Sequence, residues 1–118
     1  MEWSILFHKK FEEWLDAQTF ALQRDIAAAL LVLKEFGATL GRPYVDTLKG
    51  SSLSNLKELR VQHRGDPYRL LFAFDPQRQA IVLVGGNKAN DQRWYEKNIL
   101  VAEERFAEHL AQLEEEEK

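Results

Sequence analysis

The chain has 118 residues, 45% of them apolar and 30% charged, the make-up of one ordinary globular domain that can bury roughly two-thirds of its unfolded surface. It has no cysteine, which excludes disulfide frameworks, thiol nucleophiles and thiolate metal sites. No apolar run approaches the ~20 residues that cross a bilayer. The net charge of −3 is low for a simple nucleic-acid binder, but it is unevenly spread. Residues 1–36 hold 4 Lys/Arg and 6 Asp/Glu, residues 37–98 hold 10 and 6, and residues 99–118 hold 2 and 7. A basic centre can attract phosphates while the whole chain remains acidic.

The N-terminal MEWSILFHKK carries Glu2 where a secretory leader needs positive charge, so a cytoplasmic location is expected. Trp3–Phe7 reads as a first strand. A short helix follows, with Phe11, Trp14 and Leu15 at i, i+3, i+4. A second helix puts Leu22, Ile26, Leu30 and Leu33 on one stripe, and Gly37 is a suitable stop. The break near Gln18–Thr19 is short, so the two helices should form an antiparallel hairpin. Residues 37–55 are rich in Gly, Ser and Thr and read as a long connection without a period.

Three strands should follow. Lys57–His63 alternates, with Leu59 and Val61 on one face and Glu58, Arg60 and Gln62 on the other. Tyr68–Asp75 and Ala80–Val84 come next, and the short turns between the three imply an antiparallel meander. A last helix from about Asp91 carries Trp94, Tyr95, Ile99, Ala102, Phe106 and Leu110 at intervals of three or four. The order β-α-α-β-β-β-α predicts a single α+β domain over residues 1–113. Its helices are expected to cover one face of an antiparallel sheet and leave the other face for polar residues. The acidic stretch 114–118 is expected to fray.

Metal chemistry finds no support, because His8, His63 and His109 are far apart and form no H-x-x-x-H pair. There is no phosphate-binding glycine loop and no G-x-S-x-G elbow, so no metal or cofactor is expected. The chemistry-bearing set that remains is a group of cations and acid/base side chains on the sheet. Glu58 and Arg60 share a strand face. Arg69 joins them if Tyr68, Leu70, Phe72 and Phe74 face the core. Lys88 follows Val82, Val84 and Gly86 in the alternation, and Tyr95 opens the last helix nearby.

The segments LKELR, PYRLLFAFD, AIVLVGGNK and DQRWYEK, with Leu48-Lys49-Gly50 upstream, resemble the RelE/HigB toxins of type II toxin–antitoxin pairs, and most of all their phage-derived HigB-like branch. The resemblance implies a ribosome-dependent endoribonuclease that cuts mRNA and is held by a small helix-turn-helix (HigA-like) antitoxin. It also implies that Arg69 meets the phosphate, with Arg60, Lys88 and Tyr95 beside it. Glu58 and His63 are the acid/base candidates. Lys49, Lys57, Arg64, Trp94 and Lys97 are the substrate-binding candidates. Glu58 departs from the alternating lysines of familiar RelE members. Two rivals remain open: a ParE-like toxin that binds gyrase without cutting RNA, and a degenerate member that only binds an antitoxin. Assembly as a homodimer or as a toxin–antitoxin hetero-oligomer is left open as well.

Overall fold

The computed structural model describes residues 2–117. Strand β1 (Ser4–Phe7) leads into helices α1 (Lys9–Asp16) and α2 (Phe20–Phe36). His8 caps α1 by accepting from the Lys10 amide, and Thr19 caps α2 by accepting from the Leu22 amide. Gly37 ends α2 at φ +55°, a conformation that disfavours a Cβ, and a Cβ there would also run into the Trp3 indole. After a 3-10 turn (Gly37–Thr39) come β2 (Val45–Thr47), β3 (Leu56–His63), β4 (Asp66–Phe74), β5 (Gln79–Asn87) and α3 (Trp94–Glu116).

These strands form one five-stranded sheet in the order β1-β5-β4-β3-β2. The meander β3-β4-β5 is antiparallel, as its short turns require. Two features go beyond the expected sheet. β1 pairs with β5 in parallel, so the sheet is mixed. The connection 37–55 contributes an edge strand, β2, antiparallel to β3. Three residues are too few to show a period in the sequence, which is why this strand read as loop.

The expectation that all helices share one face is corrected. The hairpin α1–α2 packs Phe11, Leu22, Ile26 and Leu33 on Leu59, Val61, Leu70, Phe72, Ala80 and Val82. α3 packs Trp94, Ile99, Ala102 and Phe106 on the opposite face, against Leu56, Leu71, Ala73, Ile81, Leu83 and Val84. The reason lies in LLFAF and AIVLV, which are apolar at every position and so need cover on both faces. At about 1.5 Å per residue the 23-residue α3 is ~35 Å long and lies over most of the second face. Its helix continues through Glu116 of the acidic tail, while Lys118 lies outside the described residues. Polar side chains on this face are thereby confined to the two ends of α3, Glu58, Arg60 and Arg69 near its start and Asp75 towards its end.

A bulge sharpens that end. Leu71 pairs with Val84 and Phe72 with Val82, so β5 holds one extra residue. Leu83 and Val84 both face α3, and the alternation restarts one residue out of step. Gly85 then faces the hairpin at Trp14, and Gly86 faces α3. A Cβ on Gly86 would come within 2.8 Å of the Trp94 ring nitrogen, so glycine here allows α3 to start close against the strand. The next residue on that side is Lys88.

Candidate functional site: a buried carboxylate among cations

The cross-strand register sets Arg60 directly opposite Arg69, on the α3 face of the sheet. Like charges placed so destabilise a ladder unless something lies between them. Glu58, two residues before Arg60, supplies the countercharge. The residue is 4% exposed. Oε1 lies 3.3 Å from Arg60 Nε and 3.2 Å from Arg69 Nε. The Tyr95 hydroxyl, delivered by the first turn of α3, donates to Oε2 at 2.8 Å and to Oε1 at 3.0 Å. A buried charge costs several kcal/mol unless it is paired and hydrogen-bonded, and this one is served from three elements.

The two arginines are not equivalent. Arg60 has a third of its side chain in solvent and also reaches Asp46 Oδ2 at 3.3 Å. Arg69 is buried and donates from Nη1 to the Tyr68 carbonyl at 2.9 Å. Its Nε forms an ion pair with Glu58 but is angled away from a hydrogen bond. It is the buried side-chain nitrogen without an acceptor among the described residues. Lys88 places its ammonium 5.3 Å from the centre of the Tyr95 ring, a cation–π approach. Burial raises the Tyr95 hydroxyl above its ordinary 10.0, and the Glu58 carboxylate raises it further against the opposing pull of Arg69. The phenol therefore keeps its proton.

At the rim, Asp46 on β2 is shared between Arg60 and Arg42, the latter at 2.9 Å and largely exposed. The Arg42 contact is the main reason that the Asp46 carboxyl lies below the usual carboxylate range. Neither Arg42 nor Asp46 stood out in the sequence, because the strand that carries Asp46, just after Arg42, was unrecognised. The same connection is tied to α3 by Ser51 and Ser52, whose hydroxyls and Ser52 amide all donate to Glu103 Oε2 at 2.6–2.9 Å.

Of the expected site residues, Glu58, Arg60, Arg69, Lys88 and Tyr95 come together. The others do not join them. His63 is on the hairpin face, 2.6 Å from Asp25 of α2 and edge-on to Tyr68. Lys57 has the parity of Leu59 and Val61 and bonds Thr47 at 3.0 Å, so it too faces away. Arg64 occupies the β3–β4 turn at φ +51°. Lys49 is exposed in the connection before β3. Trp94 is buried as part of the α3 core, and Lys97 pairs with Asp91 at 2.9 Å on the exposed side of the helix. No cluster of three or more ligating side chains with metal-binding geometry occurs among the described residues. None of their helices is long and apolar enough to cross a membrane.

A second buried carboxylate, Asp75, lies towards the other end of α3. Asp75 Oδ2 and His109 Nε2 are 2.8 Å apart. His109 lines a cavity of ≈ 580 Å³ together with Leu6, His8, Gln79 and Glu108 among others.

The architecture is that of the RelE class. An Escherichia coli toxin RelE mutant in the free state superposes with a TM-score of 0.57 over 81% of this chain and 94% of that one, at 12% identity. One chain of the archaeal RelE–RelB complex of Pyrococcus horikoshii gives 0.55 over 76% and 99%, at 18% identity. At such identities the likeness is one of fold. Residues 13–107 match the family described as phage derived protein Gp49-like. Two Mycobacterium tuberculosis relatives bear toxin names. HigB2 is 52% identical over 102 residues, which cover 85% of this chain and 49% of HigB2. HigB3 is 44% identical over 113 residues, covering 92% and 94%. The chain thus spans about half the length of HigB2 and nearly all of HigB3. It belongs to the phage-derived Gp49-like family, the HigB-like branch of the RelE toxins.

Proposed function

We propose that this chain is the toxin of a type II toxin–antitoxin pair and that it cleaves mRNA at the ribosome in the cytoplasm, using the Arg60–Arg69–Tyr95–Lys88 cluster. The observation that carries the reading is the cross-strand pair Arg60 and Arg69, set beside a protonated phenol at the open end of the sheet face. Cutting RNA through its own 2′-hydroxyl requires charge neutralisation on the phosphate and a proton for the leaving 5′ oxygen. Arg60 is the more exposed arginine and meets the phosphate first; Arg69 beneath it adds positive charge as the transition state gains negative charge. Tyr95 is the proton donor. Lys88, and Arg42 at the rim, extend the cationic surface along the RNA backbone. Four cations against two carboxylates leave this patch positive on an acidic protein.

The partner in this reading is a helix-turn-helix, HigA-like antitoxin. Its support is the family membership, together with a fold neighbour solved as a toxin–antitoxin complex. The test is induced expression in a host lacking the antitoxin, followed by pulse-labelling of protein and inspection of DNA. The reading expects translation to stop while DNA stays intact, and co-expression of the antitoxin to restore growth. DNA breaks with translation continuing would point instead to gyrase poisoning. No growth effect at all would point to a degenerate member.

A further inference from the structure

Resting on the ribonuclease reading, we infer that Glu58 is a positioning residue and not the general base: its buried carboxylate fixes the Arg69 guanidinium and aims the Tyr95 hydroxyl. A general base must come within about 2.6–3.2 Å of the proton it takes, directly or through one water. Glu58 has no face left for that. Both of its oxygens already receive the Tyr95 O–H, and Oε1 also faces two guanidinium groups. Substrate arriving at the exposed side of Arg60 meets Tyr95 and the arginines before it can meet Glu58, which is sealed from solvent.

The same contacts explain what the carboxylate does. Arg60 and Arg69 lie opposite each other, and without Glu58 their repulsion would splay them apart. Tyr95 comes from a different element, α3, and its hydroxyl has Glu58 as its anchor. Glu58 thus ties β3, β4 and α3 together at the one point where all three bring a functional group. It also keeps the phenol protonated until the leaving oxygen competes for that proton. The base that takes the 2′-hydroxyl proton then comes from outside this hub.

The test joins a pH titration of ¹³C-labelled tyrosine, followed by NMR on the free protein, with RNA cleavage rates. In wild type, Tyr95 should titrate above 10, and Glu58→Gln should bring the midpoint down, as expected when a neighbouring negative charge is removed. Cleavage by Glu58→Gln should fall about tenfold yet keep the acidic limb of the wild-type pH profile. Tyr95→Phe should cost at least as much, and the double variant no more than the worse single one, as for residues acting as a unit. A wild-type Tyr95 midpoint at or below 10 overturns the inference, and this arm needs no variant to fold. Loss of the acidic limb of the profile in Glu58→Gln, with costs that add in the double variant, also overturns it and makes Glu58 the base. If wild type cuts no RNA yet its Tyr95 midpoint falls in Glu58→Gln, the ribonuclease reading fails while the positioning role stands.

Discussion

The molecule buries two carboxylates under α3, and they are held in opposite ways. Asp75 accepts from the Gln77 amide, the Gln79 amide and the Gln79 side chain, all at 2.9 Å, and from His109 at 2.8 Å. Two of these donors are backbone groups of the β4–β5 turn, fixed wherever the turn forms. Glu58 has only side-chain partners, drawn from three elements, and one of them, Arg69 Nε, is left without a proper acceptor. Asp75 is saturated and staples a turn to a helix. Glu58 is shared among groups that can also serve a phosphate. Burial of charge alone does not mark a function; a buried charge with incomplete, exchangeable partners is the informative kind.

Variants should separate the two ends. The largest effect is expected for Arg69→Ala, which removes one buried cation and leaves Glu58 with less countercharge. Cleavage should fall on the order of 100-fold, the usual scale for a lost transition-state donor, with the fold retained by circular dichroism. At the other end, Asp75→Ala should leave cleavage near wild type but lower stability in urea by about 2–3 kcal/mol, since it orphans His109 and two amides.

Acid should also tell the two ends apart. Burial alone would raise the Asp75 carboxyl, but hydrogen bonds from His109, Gln79 and Gln77 outweigh it and hold the group below its ordinary 3.8. A depressed folded value means stability that is present above the unfolded value and lost as pH falls through the folded one. Unfolding free energy should therefore drop below about pH 4, and Asp75→Asn should flatten that drop. An equal slope in the variant would place the acid sensitivity elsewhere.

Smaller changes are expected from surface charges. Arg60→Glu or Lys88→Glu should weaken ribosome binding and lessen its salt dependence, whereas Lys57→Glu, on the opposite face, should leave both unchanged. The smallest effect concerns the acidic end. Leu113 is the last buried residue of α3, so truncation after it should change stability by less than about 0.5 kcal/mol and leave ribosome binding intact, as co-sedimentation would show.

Much of this was legible in the sequence. The 3.6-residue stripes of α2 and α3 located both helices, and the alternation in LKELRVQ set Glu58 and Arg60 on one face. The placing of α3 was misjudged, although Leu71 and Ala73, apolar on the supposedly open side of β4, carried the signal. The β5 bulge could not be seen. It shifts parity by one residue, so Lys88 reaches the site in company with Ile81 and Leu83 rather than with Val82. The edge strand was too short to recognise, which hid Asp46 and, with it, the Arg42 that it pairs. The place of His63 was not visible because strand parity was not extended to it: it shares a face with Leu59 and Val61 and therefore meets Asp25 of α2.

The most direct test of the account is cleavage of mRNA on programmed ribosomes by purified protein under single-turnover conditions, comparing wild type, Arg69→Ala and His63→Ala. Wild type should make defined cuts, Arg69→Ala should lose activity on the order of 100-fold, and His63→Ala should cut at a near-wild-type rate. Equal activity of wild type and Arg69→Ala, with His63→Ala inactive, would contradict it and move the site to the opposite face of the sheet.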